Sequence, residues 1–146
     1  MNGASAGQAA RPLPLPDEAS EGFWAAANEG RLAIQRCRAC GRFNHAPTLA
    51  CQSCGSFDLG YQDVSGRGAL HSWTRVEHAP APGFRSKVPF LVGVVELAEQ
   101  PHLVMAAELV DVAEADLRLG LPLEVGFERV SPDCMLPVLR PVQEQG

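Results

Sequence analysis

The chain has 146 residues, 46% of them apolar and 20% charged, with a formal net charge of −5. That length fits one ordinary domain or two very small ones. The composition excludes a disordered chain, and the acidic balance argues against a protein that coats DNA or anionic membrane through bulk charge. Gly and Pro together number 26, which favours turns and short elements over a helical bundle.

No apolar run approaches the ~18–20 residues of a membrane span. The run from Val88 to Val95 is broken by Pro89 and Gly93. The first residues show no basic stretch followed by an apolar one, so no secretory signal is expected and the expected compartment is the cytoplasm. Thiols stay reduced there, and paired cysteines point to metal before disulfide.

Residues 1–16 read as a disordered or extended tail, with Pro12, Pro14 and Pro16 as an extended lead-in. From Asp17 to Asn28 the pattern predicts a short helix, within an N-terminal segment 17–30. Asp17 or Ser20 can cap it, Phe23, Trp24 and Ala27 form its apolar face, and Gly30 ends it. A helix this short is marginal alone and must dock on something. Leu32 to Gln35 then alternates as a strand.

Two Cys-x-x-Cys-Gly knuckles follow, Cys37 to Gly41 and Cys51 to Gly55, separated by a ten-residue gap between Cys40 and Cys51. The spacing lets both sulfurs of a knuckle face one ion, and the Gly after it permits a tight or left-handed turn. Four thiolates suit tetrahedral Zn²⁺, or iron in an overexpressing host, and four protein ligands make the metal structural. The predicted ligands are Cys37, Cys40, Cys51 and Cys54, within a ribbon spanning 31–60. That stretch has few apolar residues, and structural zinc supplies an apparent ~10–16 kcal/mol to such modules. The fifth cysteine, Cys134, has no neighbouring His or cationic setting and reads as a turn residue or half-buried thiol.

After the ribbon, Leu59 to Val64 leads into Ser65-Gly66-Arg67-Gly68. Predicted strands are Ala69 to Glu77, Pro89 to Leu97, His102 to Leu109, Leu123 to Val130 and Met135 to Arg140, with a helical turn over Val112 to Leu117. Strict alternation in the first of these places Leu70, Ser72, Thr74 and Val76 on one face and Ala69, His71, Trp73 and Arg75 on the other. Met105, Val94 and Leu103 read as core. Five strands with a helical segment between the third and fourth is the order of an OB-fold. An up-and-down barrel or a small sandwich fits the same strand count. The barrel is expected over 61–141, with 142–146 a tail.

The order of Phe23-Trp24, Gly30-Arg31-Leu32, two knuckles, Ser65-Gly66-Arg67-Gly68, Pro89-Phe90, Leu119 to Val125 and Leu136-Pro137 resembles the zinc-ribbon/OB-fold family called domain of unknown function 35, from about residue 17 to 141. The resemblance implies a mainly β fold: an N-terminal helix, a rubredoxin-like zinc ribbon and a C-terminal five-stranded OB-fold barrel. It also implies a non-catalytic accessory subunit of a thiolase-like enzyme, a thiolase or aldolase acting on acyl-CoA in steroid, aromatic or lipid catabolism. Some family members are fused to or act with hot-dog hydratases. One departure is Phe43-Asn44-His45-Ala46-Pro47, where members more often carry an aromatic-Pro-Pro or Pro-Arg run.

Two other functions compete with this one. In the first, the ribbon or barrel is a module that itself contacts acyl-CoA, with Arg31, Arg36, Arg38 and Arg42 meeting nucleotide phosphates; the plainer reading makes these arginines solvated, or paired with an acidic partner. Phe84 is either an interface anchor, a substrate-channel lining or an ordinary loop aromatic. Single-stranded nucleic acid is the weaker alternative, since residues 61–146 hold seven basic and twelve acidic side chains and lack a basic groove. No catalytic Ser/His/Asp order, paired acidic motif or phosphate loop stands out, and His45, His71, His78 and His102 are scattered.

Overall fold

The computed structural model describes residues 12–79, 83 and 87–142. Phe84 lies outside the described residues, as do most of the tail 1–16 and residues 143–146.

Asp17 opens the ordered chain with a turn: its carboxylate accepts from the Ser20 N–H and hydroxyl, both at 2.8 Å. Those bonds hold the Asp17 carboxyl below its ordinary range. Helix α1 then covers Glu21–Ala27, shorter than the predicted span because the turn takes its first residues. Phe23, Ala26 and Ala27 are buried and Trp24 is half-buried. Gly30, at φ +77°, ends it.

Strands β1 (Ala33–Cys37), β2 (Phe43–Asn44) and β3 (Leu59–Asp63) make an antiparallel sheet ordered β2-β1-β3. The ribbon's sheet therefore extends three residues past position 60. The chain then enters a closed barrel of β4 (Arg67–Val76), β5 (Phe90–Leu97), β6 (Val104–Leu109), β7 (Pro122–Ser131) and β8 (Cys134–Pro141), ordered β4-β5-β6-β8-β7. A single 3-10 turn, Glu114–Asp116, stands between β6 and β7. Pairing of β4 with β7 closes the barrel, and β6 with β8 is its one parallel pair. This is the OB-fold order, which settles the choice among barrel and sandwich.

The Gly-x-Gly entry has a physical reason at each glycine. Gly66 takes φ +79°. At Gly68 a Cβ would sit 2.2 Å from the Glu96 carbonyl oxygen, so only a bare backbone passes between β5 and β7.

Three expectations are corrected. A bulge between Leu70 and Ser72 breaks the alternation of β4. Leu70 is buried and Trp73 packs on the same core, while Ser72 and Thr74 are exposed. His102 is not in a strand: it sits at φ 65° in the β5–β6 turn, where its N–H donates to the Glu96 carboxylate at 2.7 Å. Val94 is not core; Val95 on its neighbouring position points inward and is fully buried, which turns Val94 outward against Ala106. Leu103 and Met105 are buried as expected.

One apolar cluster runs through the described chain. Phe23, Leu32, Ile34 and Phe43 from the helix and ribbon join Leu70, Val95, Leu97, Leu123 and Leu139 of the barrel. Polar clamps fix the three parts. The Asn28 amide donates to the Asp133 carbonyl at 3.1 Å and accepts from the Met135 N–H at 2.9 Å, pinning α1 to the β7–β8 hairpin. Gln100, in the β5–β6 turn, accepts from the Phe43 N–H at 2.9 Å and donates to its carbonyl at 3.1 Å, pinning β2 to the barrel.

Candidate metal centre

The two knuckles adopt the same hydrogen-bond pattern. The Cys37 N–H donates to the Arg42 carbonyl at 2.9 Å, and the Cys51 N–H to the Ser56 carbonyl at 2.8 Å. The Gly41 and Gly55 N–H groups return to the Cys37 and Cys51 carbonyls, both at 2.9 Å. Each glycine has a positive φ, +83° and +79°, as a reversal after the second cysteine requires. N–H groups also point at sulfur: Cys40 to Cys37 Sγ and Ser53 to Cys51 Sγ, both at 3.4 Å.

The four sulfurs all lie within 4.8 Å of one another. Cys37 to Cys54 is 3.6 Å and Cys40 to Cys51 is 3.7 Å. These separations are far too long for disulfides, which need ~2.05 Å. A tetrahedron of sulfurs at ~2.3 Å from one Zn²⁺ has edges of about 3.8 Å. The donor set and its spacing fit a closed, four-thiolate site.

Protonation follows from the same contacts. The Cys40 N–H holds the Cys37 thiol below its ordinary range. The Cys54 and Ser53 N–H groups lower Cys51 to about 6. Against the pull of the Ser56 N–H, Cys54 is pushed up to about 12 by the Cys37 sulfur, by burial and by the other two sulfurs. Four crowded sulfurs do not all ionise without a cation among them.

Two buried polar side chains shape the site: Gln35, which does not stand out in the sequence, and Asn44, which does so only as part of the run Phe43 to Pro47. The Gln35 amide donates to the Thr48 carbonyl at 2.7 Å and accepts from its N–H at 3.0 Å, which pins the loop between the knuckles. Asn44 Oδ1 accepts from the Gln52 N–H at 3.1 Å beneath the second knuckle. The unusual run Phe43-Asn44-His45 thus turns inward, onto the barrel turn, the second knuckle and the Phe23 ring, whose centroid is 5.5 Å from that of His45.

The arginines are mostly engaged within the ribbon. Arg31 pairs with Glu29 at 2.7 Å and also with Asp63. Arg36 donates to the Gly41 carbonyl at 2.7 Å and to Gln62 at 2.6 Å, with its guanidinium over the Phe43 ring. Arg38 bonds to Asp58 at 3.0 Å and to the Leu59 carbonyl at 2.9 Å. Arg42 is exposed, with no side-chain partner among the described residues. Cys134 opens β8 as a half-buried free thiol.

Comparison with known proteins places this architecture. A family model described as the ChsH2 rubredoxin-like zinc ribbon domain matches residues 24–60, and one described as the ChsH2 C-terminal OB-fold domain matches residues 61–128. A solved structure titled "Ltp2-ChsH2(DUF35) aldolase" superposes with a TM-score of 0.79 at 33% identity, over 88% of this chain and 98% of that one. This chain belongs to the ChsH2, or DUF35, family.

Within the family, "Probable enoyl-CoA hydratase alpha subunit" of Thermomonospora curvata is 36% identical over 94% of this chain. A "DUF35 domain-containing scaffold protein" of Pyrococcus furiosus is 33% identical over 55% of it. The chain spans 42% of the length of the first and 57% of the second. As a ChsH2-family member it carries a zinc ribbon whose metal is structural. Among its described residues no helix is long and apolar enough to cross a membrane.

Proposed function

We propose that this chain is a non-catalytic accessory subunit that binds and stabilises a thiolase-like enzyme, a thiolase or aldolase acting on acyl-CoA. The observation that carries the reading is the match over 98% of the ChsH2 chain of an aldolase complex. The scaffold name given to archaeal relatives supports it. In this reading Cys37, Cys40, Cys51 and Cys54 hold Zn²⁺, which supplies rigidity to the ribbon and leaves no open coordination position for substrate. The steroid, aromatic or lipid setting is part of the same proposal.

The hydratase relative favours a second reading, in which the chain corresponds to the accessory portion of a longer hydratase subunit. Direct contact of the ribbon arginines with CoA is less favoured, because Arg31, Arg36 and Arg38 already have partners in the ribbon. The domain limits 17–30, 31–60 and 61–141 are proposed as the helix, ribbon and barrel units.

Mild purification from the native host tests the reading. A thiolase-like protein should co-elute and be identified by mass spectrometry, and its activity and half-life should fall when the chain is removed. The metal-loaded chain alone should not turn over acyl-CoA; robust turnover would overturn the accessory role. A co-eluting hydratase in place of a thiolase would select the second reading.

A further inference from the structure

Two large apolar side chains of the ribbon stand in water: Leu49 is 63% exposed and Phe57 82%. They flank the second knuckle, Leu49 just before Cys51 and Phe57 just after Ser56. Both line one hollow of about 420 Å³ between α1 and the ribbon, with Ala25 of the helix and Leu59 of β3. A single exposed apolar residue is ordinary, but several converging on one hollow mark a contact surface.

The backbone that presents them is braced. The Gln35 amide holds both the N–H and the carbonyl of Thr48, at 3.0 and 2.7 Å, which fixes the residue before Leu49. The Thr48 hydroxyl donates to the Ala50 carbonyl at 2.6 Å, which fixes the residue after it. The Cys51 N–H donates to the Ser56 carbonyl at 2.8 Å, which sets the segment that carries Phe57. On the helix side, a Cβ at Gly22 would sit 2.3 Å from Tyr61 Cδ2, so only glycine leaves room for that ring in the wall of the hollow. Apolar groups held out on fixed backbone lose little freedom when a partner covers them.

Charge selects the occupant. The charged lining is Glu18 and Glu21, both exposed, and neither has a cationic partner among the described residues. The nearby ribbon cations lie across the sheet. A Cβ at Gly60 would meet the Arg38 guanidinium at 2.4 Å, and Arg36 bonds to Gln62 at 2.6 Å. Gly60 and Gln62 alternate with Leu59 and Tyr61, so those arginines sit on the face of β3 away from the hollow. Two carboxylates without a cation repel an anionic ligand, which disfavours an acyl-CoA. A two-fold contact with a second copy would set these carboxylates against their own copies.

We propose that this hollow is a docking site for the thiolase-like partner, which seats an apolar side chain against Leu49 and Phe57 and sets a lysine or arginine against Glu18 and Glu21. The proposal rests on the accessory-subunit reading and names the surface that reading leaves open.

The test uses the full zinc-loaded chain and the purified thiolase-like protein identified by co-elution. Leu49→Ser and Phe57→Ser change exposed side chains, so metal content, circular dichroism and melting point should stay at wild type. Titration calorimetry should show at least tenfold weaker partner binding for each. The double variant Glu18→Gln with Glu21→Gln should bind at least threefold more weakly at low salt, with the loss shrinking as salt is raised. Leu119, 70% exposed ahead of β7, provides the control, and Leu119→Ser should bind as wild type. Hydroxyl-radical footprinting gives a readout without substitution: Phe57 should be oxidised in the free chain, and protected by the partner but not by butyryl-CoA. Wild-type binding by both Leu49→Ser and Phe57→Ser would overturn the hollow and leave the accessory role standing. Protection of Phe57 in the free chain would also overturn it, because a second copy or the chain's own residues would then fill the hollow. Protection by butyryl-CoA alone would do the same. Failure of the wild-type chain to bind would remove both proposals.

Discussion

At the scale of single residues the molecule depends on which thiols are charged. The Cys54 and Ser53 N–H groups draw Cys51 down to about 6, whereas, against the pull of the Ser56 N–H, the neighbouring Cys37 sulfur helps push Cys54 up to about 12, so the four sulfurs give up their protons as a coupled group. Cys51→Ser removes the sulfur best prepared to bind. It should drop metal content from near stoichiometric to near zero by elemental analysis, and with it most of the ~10–16 kcal/mol that structural zinc contributes. His45 gives a separate pH effect. Burial, with the Phe23 ring beside it, holds its imidazole below the ordinary 6.5. Above pH 6.5 the folded and unfolded chains are both neutral there, and His45 adds no pH dependence. Below 6.5 the unfolded chain takes up a proton that the folded chain resists, so stability falls as pH drops toward the folded value. With zinc in excess, His45→Gln should flatten the slope of unfolding free energy against pH just below 6.5, measured by denaturant titration. An unchanged slope would place the acid sensitivity in the thiolates alone.

At the scale of elements, what the sequence makes legible is what has a period or a fixed spacing. The knuckles could be read because two sulfurs and a glycine must recur at one interval around an ion. The barrel strands could be read because inward residues recur every second position. The misses lie where those rules are broken or too short to register. β2 is two residues long and exists because Gln100 clamps Phe43 from across the molecule. The bulge in β4 rotates Trp73 onto the core, which no count of alternation reveals. Gln35 and Asn44 read as ordinary polar residues until the loop they pin is folded over them. Gly68 shows the reverse case, a residue legible as a bend whose reason is contact. A Cβ there would meet the Glu96 carbonyl oxygen at 2.2 Å and Val95 Cγ2 at 2.8 Å, and backbone at a closed barrel seam cannot retreat. Gly68→Ala should therefore destabilise by ~1–3 kcal/mol, as overpacking does. The loss would appear as a lower melting temperature with metal content unchanged, since the seam is distant in sequence from the knuckles.

At the scale of the whole molecule, the ribbon and barrel share one apolar cluster, and this couples the metal of the ribbon to the barrel. Phe43 and Ile34 of the ribbon pack into the same core as Leu70, Leu97 and Leu103. A ligand that binds only the folded state stabilises everything that folds with it. Chelation should thus lower the melting temperature of the chain as one transition, not melt a ribbon away from an unaffected barrel. The polar part of the coupling is the Gln100 amide, bonded to both the N–H and the carbonyl of Phe43. Gln100→Ala removes two hydrogen bonds and leaves those backbone groups of a buried strand without their partner, at a cost of about 1–3 kcal/mol. The metal site itself is untouched, because no knuckle residue bonds to Gln100. The expected result is a variant that binds zinc normally yet unfolds in two resolved steps by differential scanning calorimetry, with only the ribbon step responding to chelator. A single step that still shifts as a whole would mean that the shared apolar cluster suffices to join the two parts. Whichever part carries the coupling, a partner gripping the barrel would feel the state of the zinc through it. Where the two steps separate, the same Gln100→Ala chain should hold a partner gripping the barrel alone with an affinity that no longer depends on metal loading, whereas a partner docked on the ribbon should still need the metal.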